Sequence, residues 1–165
     1  MSSMLLLLLL AAPREVIGVH FGWGAFRDGG RCSAMTEPQR PGRDDARPHV
    51  ALTFAPEQNQ RGQFYVRLRR PSRDGSAVLL RIDGVPFQLL ARGSDAWSPS
   101  ARADAAIVQA VRTGVSMTVE SRSTRGVTVR DLYLLRGAAT AIDAAAIACL
   151  KAAGKKPQSD YIGRL

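Results

Sequence analysis

Two cysteines and two histidines are the side chains of this sequence best suited to redox, nucleophilic or metal chemistry. Cys32 and Cys149 stand near opposite ends of the chain. Joined as a disulfide, they would enclose most of the fold in one loop, stabilising it by roughly 4–5 kcal/mol in the chain-entropy model. Cys149 also lies on the stripe Ile142–Ala146–Cys149–Ala153, where a small buried thiol packs well. A thiolate nucleophile needs a neighbour that lowers its pKa, and the sequence around Cys149 supplies none. A disulfide is the favoured reading, a buried thiol the second and a catalytic thiolate the last.

The histidines, His20 and His49, supply at most half of a metal site, and each reads as a structural strand residue. Either could serve as a general base beside a serine, but no spacing selects a nucleophile. There is no Gly-x-Ser-x-Gly elbow, no His-Glu-x-x-His, no Gly-Lys-Ser/Thr phosphate loop and no Cys-x-x-Cys. The sequence therefore assigns no catalytic, cofactor-binding or metal-binding residue, and a non-enzymatic role is expected.

Charge offers one further candidate. Lys and Arg number 23 against 14 Asp and Glu, a net charge of +9, and the excess is carried by Arg. Arg61, Arg67, Arg69, Arg70 and Arg73 run without an acid until Asp74. Arg67 and Arg69 share a strand face with Tyr65, and basic groups beside an aromatic can hold phosphates and stack a base. The same pattern protects the edge of a solvated strand, and that reading is favoured. Arg67, Arg69 and Arg70 are the candidate anion-binding residues, with nucleic acid the less favoured partner.

The elements that must position these residues are mostly strands. Residues 16–26 form an apolar, Gly-punctuated strand, and residues 31–37 follow the turn Asp28-Gly29-Gly30. Residues 38–47, rich in Pro, Gly and charge, form a surface loop. Strands are expected at 50–55 and 62–69, where Phe64, Val66 and Leu68 alternate with Tyr65, Arg67 and Arg69. Asp83-Gly84 joins strands 77–83 and 85–91 as a hairpin. Two more strands are expected at 115–122 and 127–135.

Two helices interrupt the strands. Ser98-Pro99 reads as N-cap and first helical residue of a helix over about 99–112, ended by Gly114. Its inner face is Ala103, Ala106, Ile107, Ala110 and Val111. Thr140-Ala141-Ile142-Asp143 reads as a capping-box variant opening a helix over about 140–153, with Gly154 as its stop. Only Asp143 and Lys151 interrupt the apolar surface of this last helix, which predicts that it is buried. The expected fold is mainly β: an antiparallel β-sandwich or partly open barrel with two α-helices.

Organisation follows from the ends. Met4 to Ala12 is an unbroken apolar run, too short for the roughly 20 residues of a membrane-spanning helix. It fits the apolar region of an export signal, about 7–15 residues long, with Ala11-Ala12 as a cleavage point. Residues 1–12 are thus read as a leader, 13–153 as one β-rich domain and 154–165 as a flexible tail. Export implies a periplasmic or secreted protein in a disulfide-permissive compartment.

The stretch Phe21-Gly22-Trp23-Gly24-Ala25-Phe26, followed by Arg31-Cys32-Ser33-Ala34, resembles the opening of invasion-associated locus B family proteins. Arg112-Thr113-Gly114 with its following strand is similar too, as is Leu135-Arg136-Gly137-Ala138-Ala139 leading into an Ala-rich helix. The likeness extends over about residues 21–150. It implies an exported, β-rich, non-enzymatic envelope protein that contacts another protein or an envelope or host-surface component. A mid-chain cysteine pair associated with many members is missing here, and Cys149 stands in the last helix instead.

Overall fold

A computed structural model describes residues 14–40 and 47–154. The expected leader, the centre of the 38–47 loop and the tail beyond Gly154 lie outside the described residues. In chain order the strands are β1 (Glu15–His20), β2 (Trp23–Asp28), β3 (Arg31–Thr36), β4 (His49–Ala55) and β5 (Gln60–Arg67). They continue as β6 (Val78–Ile82), β7 (Val85–Arg92), β8 (Asp95–Trp97), β9 (Ser116–Arg122) and β10 (Thr128–Leu134). The helices are α1 (Ala101–Thr113) and α2 (Ala138–Ala153), and a short 3-10 turn spans Pro56–Gln58.

All ten strands join one open sheet in the order β1-β2-β3-β4-β5-β8-β7-β6-β9-β10. Every ladder is antiparallel. The sheet curls without closing into a barrel. Its two ends approach at a seam, where Gln39 N donates to Leu132 O at 2.8 Å and Trp23 Nε1 donates to Leu134 O at 2.9 Å. Period-two alternation builds the interior: Cys32, Ala34 and Thr36 point inward from β3, and Phe64, Val66 and Leu68 from β5 and its extension. Trp23, Leu52, Leu80, Ile107, Tyr133 and Ile142 fill the centre. Helix α2 covers β1–β3, and α1 packs on β5 and α2. The mainly β fold with two helices is the one the sequence predicts.

Several local expectations need correction. The single strand expected over residues 16–26 is a hairpin, because the chain reverses at Phe21-Gly22 between β1 and β2. Its apolar residues run on through the turn, so no change of polarity marks it. Helix α1 is capped by Ser100, whose Oγ accepts from Ala103 N at 3.2 Å, and not by Ser98. Ser98 is buried and donates its hydroxyl to Asp104. Ala106, expected on the inner face of α1, is exposed. Helix α2 starts two residues early, at Ala138, with Gly137 in the left-handed conformation and no side-chain cap. Asp143 instead accepts from Arg112 Nη1 at 2.7 Å across the two helices. One face of α2 buries Ala138, Ala141, Ile142, Ala145 and Cys149, while Ile147 and Leu150 are exposed, so the helix is not buried all round.

Cys32 on β3 and Cys149 near the end of α2 form a disulfide, with Cα atoms 5.7 Å apart and a sequence separation of 117. This distance lies within the ordinary disulfide range. The bridge fastens the last helix to the first half of the sheet.

The interior also carries polar groups. Asp131 on β10 accepts from Arg69 Nε at 2.9 Å, and Arg69 Nη2 reaches Arg40 O at 2.6 Å. Beside this pair the Tyr133 hydroxyl is buried with no hydrogen-bond partner among the described residues. Burial first, and the charge of Asp131 second, push the Tyr133 phenol well above its usual range. The folded state therefore keeps this proton to higher pH than the unfolded chain. The associated stability is present below about pH 10 and is lost as pH rises above it. Tyr133→Phe is expected to remove that alkaline loss and to leave neutral-pH stability unchanged or higher by about 1 kcal/mol. Denaturant melts at neutral and alkaline pH check this; a loss of more than about 2 kcal/mol at neutral pH would mean that the hydroxyl has a partner.

Candidate functional site

The seam of the sheet carries a groove of about 870 Å³ between the β1–β2 turn and the end of β10. That volume falls within the roughly 300–1,000 Å³ of ordinary ligand sites. One lip is the turn itself. Phe21 is held at φ 55°, a left-handed conformation unusual for an aromatic residue, and the residue is 65% exposed. Val19 beside it is 68% exposed. The other lip is Leu134 of β10, 45% exposed. Trp23, fully buried, is fixed below them by the indole bond to Leu134 O.

Three contacts hold the strained turn. Thr36 Oγ1 donates to Gly22 O at 2.8 Å. The Arg136 guanidinium lies over the Phe21 ring, 3.9 Å from its centroid. Gly137 presses against the end of β1: a Cβ there would lie 2.1 Å from His20 O, and the residue has φ 91°. Only glycine fits both conditions, so the link from β10 to α2 supports the lip from behind. A left-handed aromatic over-determined by its surroundings is the kind of strain that persists at functional sites.

The groove is charged at its rim. Arg14 lies 5.5 Å from the centroid of the Phe26 ring, and Arg47 and Arg136 also line the site. Glu37 is the acid among the lining residues, and His49 Nδ1 donates to Arg47 O at 3.0 Å. Among the described residues no carboxylate pairs with Arg14, Arg47 or Arg136. The arrangement suits a ligand with an apolar body and a negative end.

The candidate anion-binding arginines lie elsewhere. Arg67 Nη1 donates to Asp95 Oδ1 at 2.7 Å, and Tyr65 donates its hydroxyl to the same carboxylate. The Tyr65 hydrogen bond, followed by Arg67, holds the Asp95 carboxyl below its ordinary range. Burial first, then Asp95, raises the Tyr65 phenol. Arg69 does not stand on the solvent face as expected but turns inward to Asp131. Arg70 is exposed just beyond β5. An anion must therefore compete with Asp95 for Arg67 and with Asp131 for Arg69. Arg67→Ser with Arg70→Ser is expected to leave the salt dependence of heparin or DNA binding unchanged; Arg69 stays in place because its loss would strand Asp131. A shallower slope in that variant, by close to 0.9 for each duplex-DNA phosphate no longer neutralised, would restore these residues as an anion site.

His20 ends β1 and His49 begins β4, its ring 5.8 Å from that of Tyr65. No cluster of three or more His, Cys, Asp or Glu side chains able to hold a metal occurs among the described residues. Sequence reasoning missed the groove, although Phe21-Gly22 was its available signal: a glycine inside an apolar run can mark a reversal.

Fold and groove define a class in physical terms: an open antiparallel β protein stapled by one disulfide, with a cation-rimmed apolar groove at its seam. No protein-family model, curated protein or solved structure matches the chain.

Proposed function

We propose that this is an exported, non-enzymatic protein of the bacterial envelope, of the invasion-associated locus B type, acting by contact with a protein or an envelope or host-surface component. The Cys32–Cys149 disulfide carries the reading, because such bridges persist in oxidising compartments and are rare in the cytosol. The apolar run at residues 4–12 supports it from the sequence side. No helix among the described residues is long and apolar enough to cross a membrane. The exposed Val19, Phe21 and Leu134 supply a contact surface, since apolar patches gathered in a concavity mark interaction sites. Fractionation of the expressing bacterium tests export. The protein is expected in the periplasm or culture fluid, and confinement to the cytosol would overturn the proposal.

A further inference from the structure

We propose that the seam groove is a binding site for a monomeric anionic amphiphile, its apolar tail lying over Phe21, Phe26 and Leu134 and its carboxylate or phosphate head held by Arg14 and Arg136. The apolar surface is gathered from separate parts of the chain. Phe21 comes from the β1–β2 turn, Phe26 from β2 and Leu134 from β10, and all three line the groove. Water against such a concave apolar surface is displaced favourably by an apolar chain.

The charges fix the other half of the ligand. Arg136 and Arg14 each lie over an aromatic ring, at 3.9 Å and 5.5 Å from the centroids. A guanidinium carries its N–H donors around its planar edge, and attraction to a ring face leaves donors free for a further partner. Those edges match a planar carboxylate or a phosphate, which guanidinium groups bind by paired hydrogen bonds. Neither arginine has a carboxylate partner among the described residues, so a head group displaces no ion pair formed within them. The exposed arginines share one groove with a compact apolar surface, a combination that fits one charged end on an apolar body better than a polyanion charged along its length. The concavity of the site favours a single molecule over a flat membrane surface.

The test uses the purified chain with its disulfide intact and Trp97 replaced by Phe, so that the fluorescence read is that of Trp23 under the groove, as dodecanoate or dodecyl phosphate is added below micelle formation. Saturable binding of one molecule per chain is expected. Dodecyltrimethylammonium, with the same tail and the opposite charge, and inorganic phosphate, a head without a tail, are expected to bind at least tenfold more weakly. Arg136→Gln and Arg14→Gln should each weaken dodecanoate binding by roughly tenfold or more, with Arg136→Lys intermediate. Phe21→Ala should weaken both anionic amphiphiles while the thermal melt of the Arg variants stays near that of the parent. Equal affinity for the cationic amphiphile, or full affinity in the double Arg14→Gln, Arg136→Gln variant, would overturn the proposal. Binding to phosphatidylglycerol vesicles without binding to the monomers would overturn it in favour of a membrane surface. The measurement is made on isolated protein, so a cytosolic location would defeat the envelope reading and leave this one standing.

Discussion

Asp131→Ala is expected to lower stability by about 3–5 kcal/mol, the cost of leaving one partner of a buried ion pair uncompensated. The pair is well shielded: the side chains of Arg69 and Asp131 are 16% and 7% exposed. Arg69 is permanently charged, so it cannot escape the loss by giving up a proton. Its remaining partner, Arg40 O, is a neutral carbonyl. Asp131→Asn keeps a hydrogen-bond acceptor but not the charge, and should fall between Ala and the parent. Replacing both partners, as Arg69→Met with Asp131→Leu, should recover much of the loss, because apolar packing avoids the desolvation of both ions. Urea unfolding midpoints decide the matter. A loss below about 1 kcal/mol in Asp131→Ala would mean that water reaches Arg69 and the pair is effectively a surface one.

Breaking the disulfide has the second large effect. Cys32→Ser and Cys149→Ser should each lower stability by about 2–5 kcal/mol, and the double variant should cost little more than either. The sulfurs are buried between β3 and α2, and the loop they close spans a sequence separation of 117. Release of the bridge gives the unfolded chain back the freedom of nearly the whole domain. The packing of α2 on β2 and β3 remains in the folded state, so native-like spectra at low denaturant are expected alongside the lower midpoint. Reduction of the parent protein should reproduce the variants. Equal midpoints for reduced and oxidised parent would remove the bridge from the account of stability.

Local patterns made much of the fold legible. Alternation along residues 64–69 gave the inner and outer faces of β5 and its extension, and Asp83-Gly84 gave the β6–β7 hairpin. Gly114 and Gly154 end the helices as expected. The cysteine pair was legible because the export expected from the leucine run and two core-facing placements point the same way. What escaped depends on partners distant in sequence. Arg69 looked like a solvent-facing residue because its acid, Asp131, lies 62 residues on. The insertion of β8, of only three residues, between β5 and β7 leaves no periodic trace. The groove exists because β10 returns to the start of β2, a meeting no local pattern records. The start of α1 was misplaced because Ser98 and Ser100 are equally good caps in sequence. Only the burial of Ser98 against Asp104 decides between them.

Intact-mass measurement of the protein recovered from the expressing bacterium, alkylated under denaturing conditions with and without reductant, tests the account of an exported, disulfide-bonded envelope protein most directly. The expected species begins near Pro13, after cleavage at Ala11-Ala12, and takes up alkylating agent at Cys32 and Cys149 only after reduction. A species that retains residues 1–12 and is alkylated at both cysteines without reductant would contradict it.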